Sequence, residues 1–294
     1  MSLQPVDEHP VESTFTFECA GEQLPAILHA GEAAARRGVL VVVGGPQTRV
    51  GSHRQFVLLA RDLAAAGFPT LRFDYRGMGD GEGAARDFTA IDADIHAALD
   101  AFQQRCPQLQ EFVIWGLCDA ASAALFHAWR DERISGLVLL NPWVRTEAGE
   151  AKAYLTHYYR DRLLSPALWK KILHGEFEVI ASLRSLLGFI GRLRRRPQAL
   201  AAAAGADPTA ALPLPDRMAE CLRRFRGRVL LVLAGNDLTA AEFCNLTNGS
   251  EAWTSLLDEP RVVRRELVEA NHTFSSRQWR NEVSAWTADW LRSW

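Results

Sequence analysis

One segment couples an apolar run to a sharp turn and an alanine-rich helix: Phe112-Val-Ile-Trp-Gly116-Leu-Cys118-Asp-Ala120-Ala-Ser. Small residues on either side of a bend let the chain turn tightly from strand to helix and lift the side chain at the bend above the sheet as a nucleophile. Cys118 stands at the serine position of the G-x-S-x-G pattern, and Ala120 replaces its second glycine by the smallest possible addition. A helix N-terminus and a neighbouring imidazolium both favour thiolate over thiol, so a frame that activates serine would activate this sulfur. Asp119 carries a charge that opposes this if it points inward. The competing reading is a small buried hydrophobe, because free cysteines are among the most buried residues.

A thiol nucleophile needs a base, and in sites of this kind the chain order is nucleophile, acid, histidine. Of eight histidines only His272 lies downstream of Asp237, in Glu269-Ala-Asn-His272-Thr-Phe after the apolar run Val262–Val268. Asp237 ends Val229-Leu-Leu-Val-Leu-Ala-Gly-Asn-Asp237, where it can orient His272 or serve as an Asx turn or helix cap. The other position for an acid, after Leu137–Leu140, holds Asn141, which carries no charge. Acyl chemistry also requires oxyanion donors. These are expected from the Asp119 N–H and from Gly44-Gly45-Pro46-Gln47, where proline has no N–H, so Gly45 is the expected donor and Gln47 the reserve.

These residues need elements that hold them on one rim. Val39–Val43, Thr70–Phe73, Phe112–Trp115, Leu137–Leu140 and Val229–Leu233 are apolar runs of the kind buried on both faces of a parallel sheet. Helical patterns at Arg54–Ala66, Ile91–Phe102 and Ala120–Trp129 alternate with them, and Trp279–Leu291 supplies a closing helix. Alternation of this kind implies right-handed crossovers, helices on both faces, and ligands at the carboxyl ends of the strands. Phe15–Cys19 and Leu24–Leu28 are expected to form a hairpin across Gly21–Glu22. In the loop after Phe73, Asp74 and Arg76 are expected to pair with each other and brace the rim.

The rhythm breaks between Pro142 and Arg226, where the helical segments Tyr154–Leu164, Leu168–Leu173 and Phe177–Leu187 replace strands. The expected organisation is a core of residues 1–141 and 227–294 with a helical cap inserted at 142–226. The cap's tail, Ala199–Pro215, has the composition of a linker. Its Tyr154, Tyr158, Tyr159 and Trp169 could line an acyl or glycosyl pocket, although aromatic residues at helical spacing more often form core.

A chain of 294 residues with 48% hydrophobic and 23% charged residues matches a single large globular domain with an insertion. The net charge of −2 supplies no basic field for nucleic acid, and the cluster Arg192, Arg194, Arg195 and Arg196 matches a solvated helix face more often than an anion site. The five cysteines are odd in number and lack zinc-ligand spacing, as expected of reduced cytosolic thiols; no metal is expected. No G-x-G-x-x-G run opens a helix directly after a strand, so no dinucleotide cofactor is expected either. The polar N-terminus and the lack of a run of about 20 apolar residues imply a cytoplasmic protein without a membrane span.

Gly44-Gly45-Pro46, Asp74-Tyr-Arg76-Gly77-Met-Gly79, Gly116-Leu-Cys118-Asp-Ala, Gly235-Asn-Asp237 and Asn271-His272, taken in this order, resemble the α/β-hydrolase superfamily along nearly the whole chain. The resemblance implies an α/β-hydrolase fold, a mostly parallel twisted sheet with helices on both faces and an inserted helical cap. More narrowly, Gly44-Gly-Pro-Gln-Thr-Arg-Val-Gly-Ser-His-Arg-Gln-Phe, Gly116-Leu-Cys-Asp-Ala-Ala-Ser and Leu140-Asn-Pro-Trp-Val-Arg-Thr-Glu look like the exosortase A system-associated hydrolase 1 group. That likeness implies a bacterial cytoplasmic hydrolase linked to exopolysaccharide and protein-sorting gene clusters. Cysteine at the nucleophile position is shared with dienelactone hydrolases.

The expected activity is cleavage of a small-molecule ester or thioester through an acyl-enzyme on Cys118, with His272 as base and Asp237 as its acid partner. Capture of the same acyl group by a sugar hydroxyl would make the protein an acyltransferase, and a scaffold that only binds a partner is the reading from another class. The sequence leaves the oligomeric state and the natural substrate open.

Overall fold

The computed structural model describes residues 11–145 and 207–294. Eight strands form one sheet: β1 (Glu12–Cys19), β2 (Glu22–His29), β3 (Arg37–Val42), β4 (Thr70–Phe73), β5 (Glu111–Leu117), β6 (Ile134–Leu140), β7 (Arg228–Ala234) and β8 (Val262–Leu267). Their order is β1-β2-β4-β3-β5-β6-β7-β8. β1 and β2 form an antiparallel hairpin whose turn is Ala20–Gly21, one residue before the expected Gly21–Glu22. β2 is antiparallel to β4, and β3 to β8 are parallel to one another.

The central strands are buried because both faces are covered. Val39, Leu40, Val41, Val113, Ile114, Leu137 and Val138 are each 0% exposed. The described helices are α1 (Gln55–Ala65), α2 (Asp92–Arg105), α3 (Asp119–Ala128), α4 (Leu214–Arg224), α5 (Leu238–Asn248), α6 (Glu251–Leu257) and α7 (Arg277–Arg292). From β3 the chain crosses through α1 to β4 on one side, then returns through α2 to β5 on the other. Right-handed crossovers in opposite directions put α1 and α2 on opposite faces. The carboxyl ends of β3 and β5 therefore border the crevice where the connections diverge, which is where open α/β sheets bind ligands.

The chain divides into two compact units, Met1–Val144 with Asp216–Trp294, and Arg145–Pro215. The helical segments expected between Tyr154 and Leu187, and Ala199–Ala206 of the linker, lie outside the described residues. Three helices were not anticipated. α4 buries Met218, Cys221 and Leu222, while α5 turns Thr239, Ala240, Phe243 and Thr247 inward, an inner face too polar to read as a core stripe. β8 is an edge strand whose Arg264, Arg265 and Glu266 are exposed, a charged edge that discourages pairing with another chain.

The strand-to-helix junction at Cys118 sets the tightest steric demand. A Cβ on Gly116 would stand 2.7 Å from the Ala120 backbone carbon and oxygen and 2.8 Å from Ala121 N. Those are backbone atoms and cannot swing aside, so β5 and the first turn of α3 can approach this closely only over a glycine. Gly116→Ala is expected to lower the unfolding free energy in urea by about 1–3 kcal/mol, the usual cost of overpacking. A change within experimental scatter would show that the junction can open without loss.

Candidate active site

Cys118 sits between β5 and α3 with φ 64° and ψ −125°, a left-handed backbone that a residue with a Cβ rarely adopts. Its neighbours impose that conformation. The Cys118 N–H donates to Leu140 O at 2.9 Å, and its carbonyl accepts from Ala121 N–H at 3.1 Å and Trp143 N–H at 3.2 Å. Ser122, one turn into α3, donates to the Trp143 carbonyl at 2.7 Å. The chain leaving β6 therefore grips the bend from below, and the sulfur is raised at the helix N-terminus, half-buried.

Asp237 and His272 come from the carboxyl ends of β7 and β8. Asp237 Oδ2 lies 2.9 Å from His272 Nδ1. The same carboxylate caps α5, accepting from Thr239 N–H at 3.3 Å and Ala240 N–H at 3.1 Å. Helix cap and imidazole holder, weighed as alternatives from the sequence, coexist in one side chain. Burial pushes the Asp237 carboxyl up, but the His272 bond and charge with the two backbone donors outweigh it and hold it below its ordinary value. His272 is raised to about 10, first by donating Nδ1–H to the Asp237 carboxylate and then by the nearby Cys118 side chain, against the opposing effect of burial. With Nδ1 taken by the carboxylate, Nε2 is the nitrogen left for the sulfur.

Asn141 is a site residue that sequence reasoning treated only as an excluded acid. It is 0% exposed, and its Oδ1 accepts from Ala234 N–H at 2.8 Å while its Nδ2 donates to the His272 carbonyl at 3.0 Å. It therefore ties the end of β6 to β7 and to the histidine loop. Asn271 closes that loop from within, donating to Ser275 Oγ at 2.8 Å and accepting from Ser275 N–H at 3.1 Å. An Asn directly after the apolar run Leu137–Leu140 is the signal the sequence carries.

The expected oxyanion donors are adjacent but not open. The Gly45 N–H donates to Asp119 Oδ2 at 2.9 Å. A Cβ on Gly44 would stand 2.1 Å from Asp119 Oδ1, so this carboxylate fits only against a glycine. Asp119 Oδ1 is buried with no hydrogen-bond partner. Burial raises the Asp119 carboxyl, outweighing the Gly45, Ala120 and Asp119 N–H groups that favour its charged form. Asp119 does point inward, which is the arrangement that opposes a thiolate at Cys118. Gln47, the reserve donor, is half-buried, and its Oε1 accepts from Ser52 N–H at 3.4 Å and Gln55 Nε2 at 3.3 Å.

Asp74 and Arg76 do not pair with each other. Asp74, 0% exposed, is held by the Arg49 guanidinium and accepts from the Arg49 N–H at 2.5 Å and the Asp80 N–H at 3.1 Å. Arg76 instead forks onto Asp94 of α2 at 2.8 and 2.9 Å. A buried carboxylate takes the loop amides nearest to it, and a guanidinium prefers a carboxylate it can grip with two N–H groups. Tyr154, Tyr158 and Trp169, expected to line the pocket, and the Arg192–Arg196 cluster lie outside the described residues. A groove lined by Phe15, Phe17, Ala97 and Ala101 runs between β1 and α2 and contains none of the site's residues. No described helix is long and apolar enough to cross a membrane.

No curated protein matches the sequence. Solved structures of similar fold include an esterase of Pyrococcus furiosus, Pf2001, at 14% identity over 100% of this chain and 94% of that one, with a TM-score of 0.65. Est1E from Butyrivibrio proteoclasticus, bound to ferulic acid, matches at 14% identity over 94% and 97% of the chains, with a TM-score of 0.60. A dienelactone hydrolase from Anabaena variabilis matches at 14% identity over 98% and 99%, with a TM-score of 0.59. At these identities the likeness is one of fold. The model of the alpha/beta hydrolase family matches residues 39–286, which is most of the chain, and the protein belongs to that family with the α/β-hydrolase fold.

Proposed function

We propose that the protein cleaves a small-molecule ester or thioester through a covalent acyl-enzyme on Cys118. The observation that carries this reading is the 2.9 Å hydrogen bond between His272 Nδ1 and the Asp237 carboxylate, in the same rim as a Cys118 held on the strand-to-helix bend. An imidazole raised this far holds its proton at neutral pH, so the sulfur faces an imidazolium. The sulfur attacks the carbonyl carbon, and the carbonyl oxygen becomes an oxyanion. As the tetrahedral species collapses, the bond to the leaving oxygen or sulfur breaks and His272 supplies its proton. Water then attacks the thioester, giving its proton to His272, and Cys118 leaves as the carboxylic acid forms. Asp237 keeps the imidazole in the tautomer and orientation both steps need.

Oxyanion stabilisation is assigned to the N–H groups of Gly45 and Asp119. The developing charge must then take the Gly45 N–H from the Asp119 carboxylate, because two negative oxygens repel across one donor. Burial of Asp119 favours the protonated form that would release it. Similarity to esterases and to a dienelactone hydrolase, and the motifs shared with the exosortase A system-associated hydrolase 1 group, support the ester and thioester class. The stretch 142–226 is assigned as the cap insertion, with the compact unit Arg145–Pro215 as its body.

A thiol-reactive acyl probe with mass mapping tests the nucleophile: labelling is expected at Cys118 and lost in His272→Ala, whereas equal labelling of all five cysteines would overturn it. On p-nitrophenyl esters and acyl-CoA thioesters, Cys118→Ala is expected to lose roughly 10³-fold or more in kcat. Asp119→Asn keeps the shape and removes the competing charge, so kcat is expected to rise by up to about tenfold, equivalent to ~1.4 kcal/mol. A fall would show that the carboxylate is needed to hold the loop.

Stability should follow the charge pair. His272 is raised above its ordinary 6.5 to about 10, so the contribution is complete below pH 6.5 and fades as pH rises toward 10. On the acid side the lowered Asp237 preserves it until pH drops below about the ordinary 3.8. The melting-temperature gap between wild type and His272→Gln is therefore expected to be wide at pH 6 and narrow at pH 9.5; equal gaps would contradict the assignment.

A further inference from the structure

α3 is buried from Ala120 to Ala128, so each polar side chain along it needs a partner. Ser122 has one in the Trp143 carbonyl. His127 is satisfied on one side only. Its Nδ1 lies 2.7 Å from Asp92 Oδ1 in the first turn of α2, while its Nε2 has no hydrogen-bond partner although the residue is 3% exposed. Two ligand-type side chains face that nitrogen. Asp131 Oδ2 is 4.0 Å from it, and His96 Nδ1 of α2 is 3.5 Å from the same oxygen. One ligand atom from each of His96, His127 and Asp131 lies within 4.8 Å of the other two.

We propose that His96, His127 and Asp131 bind a divalent transition metal of the zinc class. Metal-ligating imidazoles characteristically give their second nitrogen to a carboxylate, which fixes the tautomer and turns the lone pair toward the metal. His127 has that partner in Asp92 at 2.7 Å, and the carboxylate nearest His96 Nε2 is Asp100 at 3.6 Å, an ion-pair distance. Tetrahedral coordination with bonds of about 2.0–2.2 Å spaces ligand atoms roughly 3.3–3.6 Å apart. The two spacings to Asp131, 3.5 and 4.0 Å, are near that range, and all three ligand atoms lie within 4.8 Å of one another, so the His96 side chain at its exposed position must move inward to close the set. Two histidines and one carboxylate leave a fourth position for water, and the His96 side chain, 57% exposed, gives a path from solvent.

Arg133 holds Asp131, with Nη2 to Oδ2 at 2.7 Å and Nε to Oδ1 at 2.9 Å. A carboxylate oxygen has lone pairs for both a guanidinium and a metal. Asp92 and Asp100 pair with Arg130 and Arg133 and offset their charges. Asp131 stands 4.0 Å from His127 Nε2, too far for a hydrogen bond, so that buried nitrogen is left open toward the cluster. From Cys118 to His127 the rise along α3 is about 14 Å at 1.5 Å per residue, so the metal would join α2 to the far end of the helix that carries the nucleophile without touching it.

The test uses Cys118→Ala protein, which removes the sulfur of the other site as a competing ligand. Calorimetric titration with Zn²⁺ is expected to give one equivalent bound and a raised melting temperature, and Co²⁺ a tetrahedral absorption band without thiolate charge transfer. His96→Ala, at an exposed position, is expected to weaken binding at least 30-fold, and Asp92→Asn about 10- to 100-fold. Absence of saturable binding, binding unchanged in His96→Ala, or a cobalt spectrum with a thiolate band would each overturn the site.

Discussion

The left-handed backbone of Cys118 is the constraint on which the site depends. A non-glycine residue in that region costs on the order of 1–3 kcal/mol and persists only where its surroundings over-determine it. Here they do: both backbone groups of Cys118 are bound by the chain leaving β6, and the approach of β5 to α3 is closed over Gly116. The strain and the position of the sulfur therefore share one origin, since the geometry that is costly for the backbone is what carries the sulfur to the rim.

The histidine side of the site is built from several weaker ties. Asp237 serves α5 and His272 at once, so the helix dipole and the imidazole both favour its ionised form. Asn141 fixes the far end of the loop through the His272 carbonyl, and Asn271 with Ser275 closes it. β6, β7 and β8 thus contribute one residue each to a single hydrogen-bonded rim. Displacing any of them moves the ring relative to a sulfur held by a separate set of bonds.

What the sequence made legible was whatever is encoded locally. Strands such as Val39–Val42 declare themselves by unbroken β-branched runs, and Cys118, Asp237 and His272 each lie just past a strand in a short motif. Contacts between distant side chains and backbone left no local trace. Gly45 meets Asp119 across 74 positions and Asn141 meets His272 across 131, and neither spacing has a motif. Asp74 and Arg76 look paired because they are two residues apart, yet each finds a better partner once the loop folds against Arg49 and α2. α5 escaped because its buried face uses Thr239 and Thr247 in place of larger apolar residues.

Asp119 exposes a tension within the site. A donor that holds a carboxylate oxygen at 2.9 Å has the length needed to hold an oxyanion, so the Gly45 amide is already organised for negative charge. Yet the group that demonstrates this complementarity is a resident competitor, accommodated because Gly44 has no Cβ. Its burial weakens the competition by favouring the neutral acid, and its unpartnered Oδ1 adds to the cost of keeping the charge there. Under the proposed mechanism an oxyanion at Gly45 would displace a carboxylate that is poorly solvated where it stands, an exchange less costly than the charge repulsion alone would suggest.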